Sequence, residues 1–133
     1  IKVPAYSNNL RKEISKSQRW YFVDNGIRNA IIQDFTPMAL RNGTDIGMLW
    51  ENYLFMERMK RNAYKKETKS YHFWRTYDQQ EIDLIEIKNK AMYAFEFKYS
   101  ANKLPKKPIA FEKAYPKASF EVINEKNYLD FIL

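Results

Sequence analysis

Cysteine is absent from this 133-residue chain. Disulfides, thiolate zinc sites, iron–sulfur clusters and cysteine nucleophiles are therefore excluded. Histidine occurs once, at His72, which rules out metal sites built on two histidines. A Ser-His-Asp arrangement would have to use His72, and no serine stands in a recognisable nucleophile turn, so His72 reads as a strand residue. Glycine is found only at Gly26, Gly43 and Gly47, and neither a P-loop nor a dinucleotide fingerprint can be written from those positions. No apolar run approaches the ~18 residues of a membrane helix. The chain opens Ile1-Lys2-Val3-Pro4, with neither a start methionine nor a secretory signal pattern. It reads as a domain of a longer, cytoplasmic protein.

What is present narrows the field further. Hydrophobic residues make up 45% of the chain and aromatics 17%, enough for one domain whose core is rich in Tyr, Phe and Trp. Basic residues outnumber acidic ones 23 to 16, a net charge of +7. That excess suits a polyanion, most commonly nucleic acid; a basic surface without such a partner is the alternative. With thiolates and paired histidines gone, any metal chemistry must rest on carboxylates, which favour hard cations such as Mg²⁺ or Mn²⁺.

Strand and helix signals alternate along the chain, with no internal repeat. Residues 1–40 form an N-terminal extension with a short helix at 9–16, a strand at 19–23 ended by Asp24-Asn25-Gly26, and a second short helix at 27–35. Residues 41–133 form the core. Thr44 or Asp45 can cap a long helix over 46–60, whose apolar residues (among them Met48, Leu49, Trp50, Phe55 and Met56) cover most of its circumference. Such a helix is largely buried, which makes Glu51 in its middle a candidate for a cleft. Three extended segments follow, at 71–77, 80–87 and 91–99, joined so briefly that they form an antiparallel meander. A short helix at 111–115, a strand at 119–123 and a terminal helix at 125–132 complete a mixed α+β fold with a central mixed sheet flanked by helices.

Strand alternation locates the chemistry. In Met92-Tyr93-Ala94-Phe95-Glu96-Phe97-Lys98-Tyr99 the odd positions are aromatic, which leaves Glu96 and Lys98 together on the other face. In Glu81-Ile82-Asp83-Leu84 the two apolar residues share one face and the two acids the other. A two-residue turn at Asn89-Lys90 then sets Asp83 opposite Glu96 and Glu81 opposite Lys98. Two carboxylates so opposed, about 5 Å apart, repel by roughly 3 kcal/mol at an effective dielectric near 20. A divalent cation between them removes that cost, and Lys98 one pleat along can polarise its water, as metal-assisted phosphodiester hydrolysis requires. The alternative is an exposed sheet face with ordinary cross-strand pairs. Glu86-Ile87-Lys88 matches the same short string, but parity sets Glu86 on the face opposite Asp83. Glu51 adds a third acid, unless it makes a structural hydrogen bond or pairs with a residue such as Arg58.

Glu51, Asp83 and Glu96-x-Lys98 resemble the motif set of the PD-(D/E)XK nuclease superfamily, and the element order resembles its αβββαβ restriction-endonuclease-like core. A closer resemblance is to the domain of unknown function that follows the P-loop module in many prokaryotic AAA-type ATPases. It is carried by Tyr21-Phe22-Val23-Asp24-Asn25-Gly26, Leu49-Trp50-Glu51-Asn52, Phe73-Trp74-Arg75-Thr76, Glu81-Ile82-Asp83-Leu84 and Phe95-Glu96-Phe97-Lys98, in order along nearly the whole chain. The resemblance implies Asp83 and Glu96 as metal ligands, Glu51 completing the site directly or through water, Lys98 as the catalytic lysine, and an ATPase half beyond this chain. The function that follows is a Mg²⁺- or Mn²⁺-dependent DNA nuclease, with Arg75, Lys103, Lys106 and Lys107 holding the phosphate backbone. A non-catalytic module that docks DNA or protein for the ATPase is the runner-up. A protein-interaction domain using exposed aromatics is a third.

Overall fold

The computed structural model describes residues 1–8 and 13–133. Its elements run β1 (Lys2–Pro4), β2 (Gln18–Trp20), α1 (Asn25–Ile32), a 3-10 turn (Met38–Leu40), α2 (Gly43–Tyr64), β3 (Ser70–Arg75), β4 (Glu81–Lys88), β5 (Ala91–Phe97), α3 (Ile109–Ala114), β6 (Ser119–Ile123) and α4 (Tyr128–Ile132). Strands β3 to β6 form one sheet in chain order, antiparallel up to β5 and parallel between β5 and β6. The mixed α+β architecture expected from the sequence is thus present. Among the described residues no helix is long and apolar enough to cross a membrane.

The hairpin between β4 and β5 closes as its turn chemistry dictates. Asn89 and Lys90 both adopt positive φ, 50° and 67°, the conformation that matches the twist of a two-residue hairpin. The register runs from Lys88↔Ala91 to Leu84↔Phe95, in line with the pairing read from the sequence.

The sheet is buried on both faces. Against one lies α2, where Trp50, Leu54, Phe55 and Met56 meet Phe73, Leu84, Phe95 and Phe97. Against the other lies α3, where Phe111 and Tyr115 meet Trp74, Ile82, Ile85 and Ala94. Strict alternation therefore fails in β4: Ile82 and Leu84 belong to opposite faces, not to one. The cause is a bulge against β3, whose register jumps between His72↔Ile85 and Trp74↔Ile82. The extra residue in β4 lets Asp83 and Leu84 both lean toward the α2 side.

The N-terminal extension is stitched to the edge of β3. Ala5 and Glu13 bridge to Phe73 and Thr76, and buried Glu13 accepts from Trp74 Nε1 at 2.7 Å and Tyr115 Oη at 2.6 Å. The helix expected at 9–16 falls partly on residues 9–12, outside the described residues, and Glu13 is in a bridge, not a helical turn. Strand β1, which the sequence did not suggest, pairs antiparallel with β2 and sends Val3 into the core. The strand expected at 19–23 stops at Trp20: Phe22 donates its backbone N–H to Asn52 Oδ1, and its C=O accepts from Asn52 Nδ2.

Helix α2 starts earlier than expected, after Asn42, and Asp45 pairs with Arg28 and Arg41. It is not buried all round, since Met48 is exposed. Helix α1 buries none of its residues and turns Ile27, Ile31 and Ile32 to solvent.

Candidate active site

The site forms where β4 and β5 part. In a regular ladder the N–H of Phe97 would go to a backbone carbonyl of β4. It goes instead to Oδ2 of Asp83, at 2.9 Å, and β4–β5 pairing ends at Leu84↔Phe95. The next residue, Lys98, gives its backbone N–H to Ile123 on the other side. Neither Asp83 and Glu96 nor Glu81 and Lys98 are consequently the cross-strand partners that alternation suggested. The bulge and the parting strands seat the Asp83 carboxylate in the opening, with the α2 face on one side and the face bearing Glu96 on the other.

Arg19, from β2, occupies the α2 side of this opening. Its Nη1 donates to Oε1 of Glu51 at 2.9 Å and to Oδ1 of Asp83 at 3.0 Å, and its Nη2 to Oε2 of Glu81 at 3.0 Å. The guanidinium lies 4.8 Å from the centre of the Phe73 ring, a cation–π arrangement. Tyr21 Oη also donates to Oε1 of Glu51, at 2.6 Å. Its ring stacks on Phe55 with centroids 4.1 Å apart. Together with the Phe22–Asn52 clamp, these contacts fix where Arg19 enters.

Electrostatics at the site are dominated by burial. Burial and then the Asp83 charge push the Glu51 carboxyl above the ordinary range, against the pull of Arg19. Burial opposes the Arg19 charge, but Glu51, Tyr21 and Asp83 outweigh it and raise its pKa. Glu96 is only 8% exposed. Burial and then Asp83 push its carboxyl up to about 7, partly offset by Lys98. Lys98 Nζ contacts Oε1 of Glu96 at 3.0 Å. Oε2 of Glu96 is buried and has no hydrogen-bond partner among the described residues, a costly state for a carboxylate oxygen. For Lys98, burial lowers the pKa but Glu96 more than restores it, so the ammonium stays charged.

Each candidate from the sequence can now be placed. Asp83 is central, since both Glu51 and Glu96 are perturbed by it. Glu96 and Lys98 stand together as alternation required. Glu51 faces Asp83, but through Arg19. Among the described residues, no group of three or more His, Asp or Glu side chains is close enough to hold a metal ion. The chemistry of the donors still suits a hard divalent cation, because Mg²⁺ commonly takes only one or two carboxylates and fills its shell with water and phosphate oxygens. Asp83 and the partnerless oxygen of Glu96 fit that role.

Glu86, the rival match, is structural. It accepts from Arg58 Nε at 2.8 Å and Nη2 at 3.0 Å, Asn62 Nδ2 at 2.8 Å and Lys69 Nζ at 2.9 Å. It sits on the α2 face, so its partners, not parity, keep it from the site. Arg58 is spent on Glu86 and is no partner of Glu51. Of the basic residues, Arg75 Nε lies 3.7 Å from Glu81. Lys103 and Lys106 are exposed on the loop after β5. Lys107 donates to the carbonyl of Ala118 at 2.8 Å.

Sequence reasoning passed over Arg19, Tyr21 and Glu81 as site residues. A groove lined by Arg19, Trp20, Tyr21, Phe22, Met48 and Glu51 runs up to the acids. In the sequence Arg19-Trp20-Tyr21-Phe22-Val23 reads as a strand, and Tyr21-Phe22-Val23 also opens a block of the family resemblance.

With this geometry in hand, comparison with known proteins gives one family. The model of a family described as "Domain of unknown function (DUF4143)" matches residues 46–130, and the chain belongs to that family. No curated protein and no solved structure matches the chain.

Proposed function

Starting from membership of a family whose function is unknown, we propose that this domain is a metal-dependent nuclease that hydrolyses phosphodiester bonds of DNA. One observation carries the proposal: a buried carboxylate oxygen of Glu96 without a partner among the described residues, beside Asp83 and a charged Lys98. Perturbed carboxylates gathered at an opening in a sheet are a mark of functional sites.

Asp83 and Glu96 would hold Mg²⁺ or Mn²⁺. Once bound, the ion supplies positive charge for the developing phosphorane and eases ionisation of water. The side chain of Lys98 is 45% exposed, so its ammonium reaches solvent while tethered to Glu96. There it holds a phosphate oxygen or orients the attacking water. Asp83 is fixed by the Phe97 N–H and so keeps one oxygen in a set direction. Arg75, Lys103 and Lys106 would grip the DNA backbone, adding affinity that falls as salt rises; Lys107 joins them only by leaving Ala118. An ATPase half, implied by the resemblance, would direct the cutting, since nothing in the site suggests base reading.

The test is cleavage of linear, branched and single-stranded DNA by the purified protein with Mg²⁺ or Mn²⁺, beside Asp83→Ala and Lys98→Ala. The expected result is cleavage by the wild type and a loss of at least about a hundredfold in each variant. Equal cleavage by all three would identify a contaminant and end the proposal.

A second reading is favoured by a specific observation, the pairing of Arg19 with one oxygen each of Glu51 and Asp83. It is a non-catalytic module that keeps a nuclease-like fold and docks DNA or protein for the ATPase. It requires DNA binding without cleavage, unchanged by Glu96→Gln.

A further inference from the structure

We propose that Arg19 is a built-in cation that competes with the divalent ion for Asp83, and so sets the metal affinity of the site. The inference rests on the metal site proposed above.

Charge counting gives the reason. Among the described residues, four carboxylates face the opening (Glu51, Glu81, Asp83, Glu96) and three cations answer them (Arg19, Arg75, Lys98). With all four acids ionised, as metal binding requires of its ligands, the formal balance of these seven groups is −1. Adding a divalent ion with Arg19 in place would take it to +1. Exchanging Arg19 for the ion takes it to zero. Exchange is thus the electrostatically balanced way to load the site.

Geometry agrees. Nη1 of Arg19 already touches the Asp83 oxygen that Phe97 leaves free, at 3.0 Å, and the nearest oxygen of Glu51, at 2.9 Å. An ion bound to that Asp83 oxygen must take the place of Nη1. The partnerless Oε2 of Glu96 is a second, independent sign of a cation seat that Arg19 does not fill. The guanidinium also has somewhere to go, because the groove of Trp20, Phe22 and Met48 opens beside it. Trp20 is 72% exposed there and offers a ring face on which arginine stacks.

Mn²⁺ binding measured by calorimetry and electron spin resonance tests this without any activity assay. Wild type, Arg19→Gln and Arg19→Lys are compared, with Glu96→Gln added to Arg19→Gln. Circular dichroism verifies folding. Lysine keeps the charge but not the fork that spans three acids, so Arg19→Lys decides the matter if Arg19→Gln does not fold. Tighter Mn²⁺ binding by about tenfold or more in the folded Arg19 variants, abolished by Glu96→Gln, is the expected result. Wild type and both variants binding Mn²⁺ equally would overturn the competition and leave the metal site standing. No uptake by any of them would overturn the metal site as well.

Discussion

Asp83 holds the backbone of Phe97: the Phe97 N–H is bonded to Oδ2 of Asp83 at 2.9 Å, where β4 and β5 stop pairing. One carboxylate thus ends a ladder and forms the middle of an acidic site. Asp83→Ala leaves that N–H and the Arg19 guanidinium short of a partner, which costs about 1–3 kcal/mol. Asp83→Asn keeps an acceptor for Phe97 and removes a like charge near Glu51 and Glu96, so its cost is smaller. Chemical denaturation should rank the variants in that order. Nuclear magnetic resonance titration of Asp83→Asn should find Glu96 ionising below its wild-type value of about 7.

The raised pKa of Glu96 makes stability depend on pH. An unfolded glutamate ionises near 4.5, the folded one near 7. Between these values the folded protein keeps a proton that the unfolded chain has released. Stability from this group is therefore complete below about 4.5 and is lost as pH rises through about 7, by on the order of 3 kcal/mol. Glu96→Gln should flatten that slope when unfolding free energies are measured from pH 4 to pH 8, roughly the window set by these two values.

The pairing of β4 with β5 could be read from the sequence because one short turn dictates it. Asn89 tolerates positive φ, and alternation on either side leaves one register that buries Phe95 and Phe97. The bulge at Asp83 could not be read, since Ile82 and Leu84 alternate as they would in a regular strand. Phe73 and Trp74 alternate regularly between the two faces, so the extra residue lies in β4 alone. Arg19 was illegible for another reason. It lies 32 residues from Glu51 and 64 from Asp83, and nothing local marks an arginine in a strand-like segment as a counter-ion. Glu96 and Lys98 were legible because two residues of separation on one strand fixes them to one face.

The turn offers a simple check of the hairpin. Lys90 has φ of 67°, which a side chain disfavours and glycine adopts freely. Lys90→Gly should stabilise the domain by about 0.5–1 kcal/mol, read as a shift of the denaturation midpoint with unchanged slope.

Arg58 separates structural acids from functional ones. It donates twice to buried Glu86 and once to the carbonyl of Phe131, at 2.6 Å. Arg58→Ala should cost about 1–3 kcal/mol in thermal or chemical unfolding, because it leaves buried Glu86 with only Asn62 and Lys69 as donors, while leaving Mn²⁺ affinity at the wild-type value. A fall in Mn²⁺ affinity in a folded Arg58→Ala protein would mean that Glu86 belongs to the site after all.

The most direct measurement is anomalous diffraction from crystals of the domain soaked in Mn²⁺. The account predicts a peak within about 2.0–2.4 Å of a carboxylate oxygen of Asp83 and of Glu96, strengthened when Arg19 is replaced. Crystals whose sole Mn²⁺ peaks lie elsewhere, with Arg19 unmoved on Glu51 and Asp83, would contradict it.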